Sequence, residues 1–179
     1  GIIGSDGVGK TTLVKVLTGG YEADEGTYRW SDGVNMTYMP QEHEDQIEPG
    51  HTIDRWLHSY KPGADLEEIR SLLGRMLFRG DEGTKPTATL SGGERVRMLM
   101  CKMMLEAPNT LVLDEPTNHL DLESIAALAE GLAAYKGTLL LVTHDRAMLA
   151  EACNRIWAIR DKEIIDFRGG YVEFEERYG

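Results

Sequence analysis

The chain is short of three things: cysteine, positive charge and long apolar stretches. Its 179 residues include 2 cysteines, and 19 lysines and arginines stand against 30 aspartates and glutamates. There is no signal peptide and no apolar run approaching about 20 residues, so we expect that the chain does not cross a membrane by itself. Cys101 and Cys153 stand among apolar neighbours in helical patterns. This setting indicates reduced, buried thiols of a cytosolic protein rather than a disulfide or a metal pair.

The formal net charge of −11 argues against direct nucleic-acid binding, because such binders normally present a basic face. This charge is compatible with a nucleic-acid partner that is bound by other parts of a longer protein. The acidic stretches at 22–25 and 42–45 are most simply solvated loop faces, and a partner-binding patch is the alternative. With 41% hydrophobic residues, the chain is long enough to form a sizeable single core.

Residues 4–11 fit the pattern G-x-x-x-x-G-K-[ST], which cradles phosphate groups. They follow an apolar stub and precede a helical pattern, as such a loop requires. Backbone N–H groups would face the β- and γ-phosphates, Lys10 would add a full positive charge, and the Thr11 hydroxyl would bind Mg²⁺. A glycine-rich turn before a helix is the alternative. The predicted nucleotide-binding residues here are Gly4, Ser5, Asp6, Gly7, Val8, Gly9, Lys10, Thr11 and Thr12.

A second candidate site, formed by two acidic residues, lies at the end of the apolar run at 110–114. This run does not alternate with polar residues, which predicts a parallel strand buried on both faces. Such strands present their carboxyl ends to ligands. We expect Asp114 to hold Mg²⁺ through water, and Glu115 to polarise a water molecule that attacks the γ-phosphate. An ordinary solvated acidic turn is the alternative.

Together these motifs resemble the ATP-binding cassette (ABC) family over nearly the whole chain. Ser91-Gly92-Gly93 is similar to the family signature, which opens a helix and points its N-terminus at the γ-phosphate of a facing cassette. The resemblance implies that residues 118–121 form the loop that communicates across the paired cassettes. It also implies the site residues: Glu115, His144 (the switch histidine) and Gln41 as catalytic, Ser91, Gly92 and Gly93 as nucleotide-binding, and Thr11, Gln41 and Asp114 at Mg²⁺.

Four further elements are similar to the ABC-F class: residues 117–121, residues 143–146, Arg95-x-Arg97, and the late Phe167-x-Gly169-x-Tyr171-x-x-Phe174. This resemblance implies an ATPase with twin cassettes and no membrane domain, acting on the ribosome, with ATP and Mg²⁺ as cofactors. Only 50 positions separate residue 41 from residue 91 (91 minus 41), too few for the arm hairpin of many first cassettes. We therefore expect the second cassette. The ATPase subunit of a membrane transporter is the alternative, because it shares the core motifs.

The sequence departs from the family pattern in two places. Asp6 stands where family phosphate loops commonly have Asn, which brings a negative charge near the phosphates unless it is paired or turned outward. The strands and the adenine-stacking aromatic that precede the loop in the family are absent, which suggests a fragment. Tyr28 and Trp30 are poor substitutes, because their alternation favours a half-buried strand.

The resemblance and the patterns predict an α/β fold of the P-loop ABC type, with a mostly parallel sheet, a small antiparallel part and a helical subdomain. The chain is expected to be one domain, with the phosphate loop, β part and Gln41 in 1–47, the helical subdomain in 48–107, and the rest of the core in 108–179. The predicted strands are 26–30, 36–39, 110–114, 138–143, 155–160 and 163–167. The predicted helices are the one after the phosphate loop, closed by Gly19-Gly20, then 52–60, 65–78, 94–106 with one apolar side, 122–135, and a short one from residue 171.

Overall fold

The computed structural model describes residues 1–42, 46–118 and 120–179. Most of the acidic stretch 42–45, together with His119 of the predicted loop 118–121, lies outside this range. In this described part, six strands occur: β1 (Ile2–Ile3), β2 (Met36–Met39), β3 (Thr110–Asp114), β4 (Thr138–Val142), β5 (Ile156–Arg160) and β6 (Glu163–Phe167). The helices are α1 (Lys10–Leu17), α2 (Ile53–Ser59), α3 (Leu66–Arg75), α4 (Gly92–Glu106), α5 (Leu122–Ala134), α6 (Arg146–Ala152) and α7 (Tyr171–Tyr178).

All six strands belong to one sheet in the order β2-β3-β4-β1-β5-β6. The pairs are parallel except for the hairpin of β5 and β6. A mostly parallel sheet with a small antiparallel part confirms the predicted fold class. Every residue of β3 is buried, as expected for a parallel strand with both faces covered.

The chain divides into two compact units. The first comprises Gly1–Gln41, Asn109–Thr117 and Leu132–Gly179, and the second comprises Glu42–Pro108 and Asn118–Gly131. The first unit contains the sheet and a buried cluster of Ile2, Val14, Val112, Val142 and Ile159. In the described part of the chain, no helix combines the length and the apolar character needed to span a bilayer.

The second unit is built from helices. Asp65 caps α3 by accepting a hydrogen bond from the Glu68 N–H, and α3 buries Ile69, Leu72 and Leu73, whereas Leu66 is 56% exposed. The predicted one-sided apolar face of α4 is wrong. The four consecutive residues 98–101 are all buried, and at 100° per residue they cover every side of the helix. The helix therefore lies inside its unit, with Met98, Met100 and Met103 filling the core and Met104 partly exposed.

The predicted strand at 26–30 is also wrong. These residues form no strand, and the Trp30 indole donates a hydrogen bond to the Leu17 carbonyl at 2.7 Å. It thereby satisfies an orphan acceptor at the C-terminal end of α1. Strand β2 pairs with β3 in parallel rather than with a preceding strand. Helix α3 ends at Arg75, three residues before the predicted end, and Leu77 beyond it has a left-handed φ of 63°.

Candidate functional site

The phosphate-loop residues connect β1 to α1. Gly9 caps α1 with a φ of 106°, a left-handed conformation that L side chains rarely adopt. Gly4 passes close to other atoms, because a Cβ on it would lie 2.8 Å from the Ile159 carbonyl oxygen and 2.8 Å from the Val8 side chain. A side chain at either position would therefore change the conformation of the loop. The loop leads directly into the first turn of α1.

Lys10 is the first residue of α1, and its side chain turns back over the loop. The ammonium donates to the Gly4 carbonyl at 2.8 Å and to the Ser5 carbonyl at 3.1 Å. It also lies 3.8 Å from Asp6 Oδ1. The side chain is only 8% exposed. Its contacts with the loop hold the ammonium group against the loop carbonyls. A lysine held in this way is a binding group for an anion that the loop receives.

Asp114 ends β3 and is fully buried. Neither carboxylate oxygen makes a well-aligned hydrogen bond with the described residues. Burial raises its pKa, while the Thr11 hydroxyl and the charges of Lys15 and Lys10 oppose the rise. An orphaned carboxylate near a threonine hydroxyl is a donor set of the kind that Mg²⁺ uses. No group of three His, Cys, Asp or Glu ligands occurs among the described residues.

Glu115 follows Asp114 at the edge of the sheet. Its backbone has a left-handed φ of 51°, and its N–H donates to the Val142 carbonyl at 2.8 Å. The side chain is 11% exposed, and Oε1 lies 3.3 Å from His144 Nε2 without the alignment of a hydrogen bond. Burial raises the pKa of Glu115, and the nearby His144 and Lys10 counteract this. Strained backbone and a perturbed carboxylate together are features of functional sites.

His144 reaches the same place from the neighbouring strand. Asp114 of β3 is paired with Val142 of β4, so the residues after both strands meet at one edge of the sheet. Thr143 Oγ1 accepts a hydrogen bond from the Asp145 N–H at 3.1 Å, and Asp145 caps α6. These bonds fix the turn that carries His144. Its Nε2 lies between two carboxylates, 3.2 Å from Asp6 and 3.3 Å from Glu115.

Gln41 lies at the same edge of the sheet. Met39 of β2 is paired with Leu113 of β3, so Gln41 follows its strand as Glu115 follows β3. Its side chain is exposed. The structure thus brings Lys10, Asp114, Glu115 and His144 together, and it places Gln41 beside them at the end of the adjacent strand.

The predicted signature residues lie in the second unit, at the start of α4. Ser91 caps the helix by accepting from the Glu94 N–H at 3.3 Å, and its own N–H donates to Glu94 Oε2 at 2.7 Å. Ser91 and Gly92 are exposed. Burial raises the pKa of Glu94, but the bonds from Lys85, at 2.6 Å, and from Ser91 prevail and hold it low. The start of α4 is therefore capped by Ser91 and Glu94, and its first residues are exposed.

Two residues have contacts that their sequence patterns do not reveal. Asp6 is visible in the sequence as a departure from the family pattern, but not its contacts with Lys10 and His144. Arg97 is visible as part of a subfamily pattern, without a role. In the structure its Nη1 donates to Ser124 Oγ at 2.7 Å, and the guanidinium lies 5.3 Å from the Phe78 ring centre. Arg97 thereby links α4 to the start of α5.

The chain is similar to known proteins in sequence and in fold. A family model described as ABC transporter matches residues 1–118. The chain is 44% identical over 97% of its length to the probable ATP-binding protein YbiT of Escherichia coli O157:H7, covering 33% of that protein. It is 32% identical, also over 97% of its length, to ATP-binding cassette sub-family F member 3 of Mus musculus, covering 24% of that protein. The chain thus spans a third or less of the length of these relatives.

Two solved structures are also similar. A structure named RNase-L inhibitor superimposes with a TM-score of 0.78 at 26% identity, over 99% of this chain and 35% of that one. A crystal structure of an archaeal ribosomal stalk protein in complex with an archaeal ribosome recycling factor matches with a TM-score of 0.73 at 27% identity. That match covers 88% of this chain and 31% of the other.

Proposed function

The chain belongs to the ATP-binding cassette family, and we propose that it is an ATP-hydrolysing cassette of the ABC-F type. The observation that carries this proposal is the convergence of four side chains on the phosphate loop. Lys10 is held over the loop, Asp114 is buried without a well-aligned hydrogen bond to either oxygen, and Glu115 lies within 3.3 Å of His144. This set supplies an anion-binding charge, a metal ligand, a base and a group that orients the base.

In the proposed mechanism the loop N–H groups, Lys10 and the N-terminus of α1 bind the phosphates of ATP. Thr11 and Asp114 are the residues that would hold Mg²⁺, which when bound neutralises charge on the β- and γ-phosphates. Glu115 accepts a hydrogen bond from the attacking water and orients it. Because burial raises the pKa of Glu115, the carboxylate is a stronger base than an exposed glutamate.

In this mechanism His144 contacts both Glu115 and the γ-phosphate. It lies beside Glu115 Oε1 and, with an exposed side chain, can contact the γ-phosphate from the solvent side. Gln41, at the end of the neighbouring strand, is a further residue that would hold Mg²⁺ and contact the γ-phosphate. The exposed Ser91-Gly92-Gly93 start of α4 would cap the γ-phosphate bound by a second cassette, and that cassette's signature would cap the ATP bound here.

We further propose that ATP-driven pairing of the two cassettes acts on the ribosome in the cytoplasm, and that this chain is the second of twin cassettes. The likeness to a sub-family F member supports this proposal, as does the likeness to a ribosome recycling factor solved with a ribosomal stalk protein. With a net charge of −11, this cassette would contribute little RNA binding itself, and regions outside it would contact the ribosome.

The test is Glu115→Gln in the full-length protein. Removing the base should lower the rate of ATP hydrolysis by about 10²- to 10⁴-fold and leave ATP binding intact, which holds the cassettes closed. In sucrose gradients of cell lysate with ATP, the variant should sediment with ribosomes, and adding Lys10→Ala should release it. The matched control is Glu163→Gln, a change at an exposed glutamate of the β5–β6 hairpin, which should behave as the wild type.

A second candidate, the ATPase subunit of a membrane transporter, is favoured by the description of the matching family model. The same gradients separate the two functions. Recovery of Glu115→Gln only with membranes would make this chain a transporter motor. Rapid ATP hydrolysis by Glu115→Gln would instead refute the assignment of Glu115 as the base.

A further inference from the structure

Asp6 makes two contacts in the phosphate loop that the proposed mechanism does not use. Its Oδ1 lies 3.2 Å from His144 Nε2 and 3.8 Å from Lys10 Nζ. Its side chain is nevertheless 95% exposed. The carboxylate therefore stands at the water-facing mouth of the loop, between the two groups that the proposed mechanism directs at the γ-phosphate.

The contacts of the Lys10 ammonium show which interaction Asp6 makes with it. An ammonium has three N–H donors, and Lys10 gives two of them to the carbonyls of Gly4 and Ser5. Asp6 Oδ1 lies within ion-pair distance of the same ammonium, at 3.8 Å. In this structure Asp6 is thus a counter-anion of Lys10 and a contact of His144, the two groups that the proposed mechanism directs at the γ-phosphate.

We propose that Asp6 is an affinity-setting residue that competes with the γ-phosphate for Lys10 and His144, so that it weakens binding of ATP more than binding of ADP. This inference rests on the proposed ATP site. A nucleoside diphosphate lacks the group that meets the carboxylate, and backbone N–H groups hold its phosphates. A nucleoside triphosphate must displace the carboxylate, which has room to rotate outward because it is almost fully exposed.

Coulomb's law gives the size of the effect. Two like charges about 4 Å apart weaken binding by about fivefold in water-like surroundings and by several hundredfold at a lower effective dielectric constant. Since Asp6 can rotate into solvent, we expect a value near the lower end, about tenfold, which corresponds to 1.4 kcal/mol. For ADP we expect less than about threefold.

The test compares Asp6→Asn with wild type in the full-length protein. Hydrogen exchange of peptides covering residues 1–17 is followed while the β,γ-imido analogue of ATP, or ADP, is titrated in the presence of Mg²⁺. Because the readout is local, nucleotide bound elsewhere in the protein is not counted as binding to this loop. The midpoint for the ATP analogue should fall about tenfold in Asp6→Asn and the midpoint for ADP much less. Asp24→Asn, a change of an exposed acid outside this cluster, is the matched control and should shift neither midpoint.

Any of the following results would overturn the inference. If Asp6→Asn binds the ATP analogue as the wild type does, Asp6 does not compete with the γ-phosphate. If both midpoints fall equally, or if Asp24→Asn has the same effect, the charge acts generally and not through Lys10 and His144. If the wild type shows no nucleotide-dependent protection that Lys10→Ala removes, the proposed ATP site fails together with the inference. Protection that Lys10→Ala abolishes, with no effect of Asp6→Asn, sinks the inference alone.

Discussion

Replacing Asp114 by Asn should stabilise the nucleotide-free protein while it abolishes Mg²⁺-dependent nucleotide binding. Asp114 is fully buried, and neither oxygen has a well-aligned partner among the described residues. Burial raises its pKa against the opposing Thr11 hydroxyl and the charges of Lys15 and Lys10. An ionised carboxylate at this position therefore costs folding free energy at neutral pH, where the neutral amide of Asn costs less.

The magnitude follows from the same contacts. A buried polar group without a partner costs about 1–3 kcal/mol, and a charged one costs more. The two lysines recover part of that cost for the carboxylate. We therefore expect Asp114→Asn to raise the local free energy of unfolding by about 1–2 kcal/mol, which slows exchange by roughly five- to thirtyfold.

Hydrogen exchange of the full-length protein without nucleotide measures this effect in peptides that cover β3 and β4. The same variant, titrated with Mg²⁺ and the β,γ-imido analogue of ATP, should lose the protection of residues 4–17. Asp32→Asn, in an exposed turn, should change neither result. Unchanged or faster exchange of β3 in Asp114→Asn would refute the claim that the buried carboxylate destabilises the nucleotide-free protein. Retained Mg²⁺-dependent protection would refute its role as a ligand.

Two further predictions concern Arg97 and Tyr38, each of which has a buried polar atom without a hydrogen bond among the described residues. Arg97→Met loses a hydrogen bond of about 1.5–3 kcal/mol to Ser124 and a contact of about 0.5–2 kcal/mol with Phe78. Because it also removes a buried Nε that lacks a hydrogen bond, urea unfolding should show a net loss of only about 1 kcal/mol, and a gain would contradict this balance. Burial, with smaller contributions from Asp114 and Tyr21, raises the pKa of Tyr38 to about 12. The unfolded chain ionises near 10, so stability present below pH 10 is lost between pH 10 and about 12, by up to about 1.4 kcal/mol per pH unit. Tyr38→Phe should lack this loss in urea unfolding at pH 9 to 11, and parallel curves for the two proteins would contradict the raised pKa.

The strands that carry the candidate site could be predicted because their signals are local. An apolar run without alternation at 110–114 was enough to predict a buried parallel strand, and the structure buries all five residues. The carboxyl ends of parallel strands meet at one edge, whereas the place of His144 beside the acids is implied in the sequence only by the family resemblance. The register of Asp114 with Val142 provides that meeting. The roles assigned to these residues remain predictions.

The wrong predictions share a physical cause, which is that alternation and helical periodicity describe one segment and not its surroundings. The alternation of Tyr28 and Trp30 favoured a strand, but β2 pairs in parallel with β3, and Trp30 instead satisfies the end of α1. Helix α4 has a polar side in the sequence near Arg95 and Arg97. Its unit nevertheless surrounds it, and Arg97 is accommodated by Ser124 and Phe78.

The sequence by itself determined the residue types of the phosphate loop, the order of the motifs and the ends of most helices and strands. These depend on spacing, on capping residues such as Asp65, and on runs of apolar residues. Only the tertiary structure decided which charges meet. Asp6 and His144 are 138 positions apart (144 minus 6) and their side chains lie 3.2 Å apart, because β1 and β4 are neighbours in the sheet. Electrostatic energies depend on distance in space and on burial, and neither is encoded in local sequence spacing.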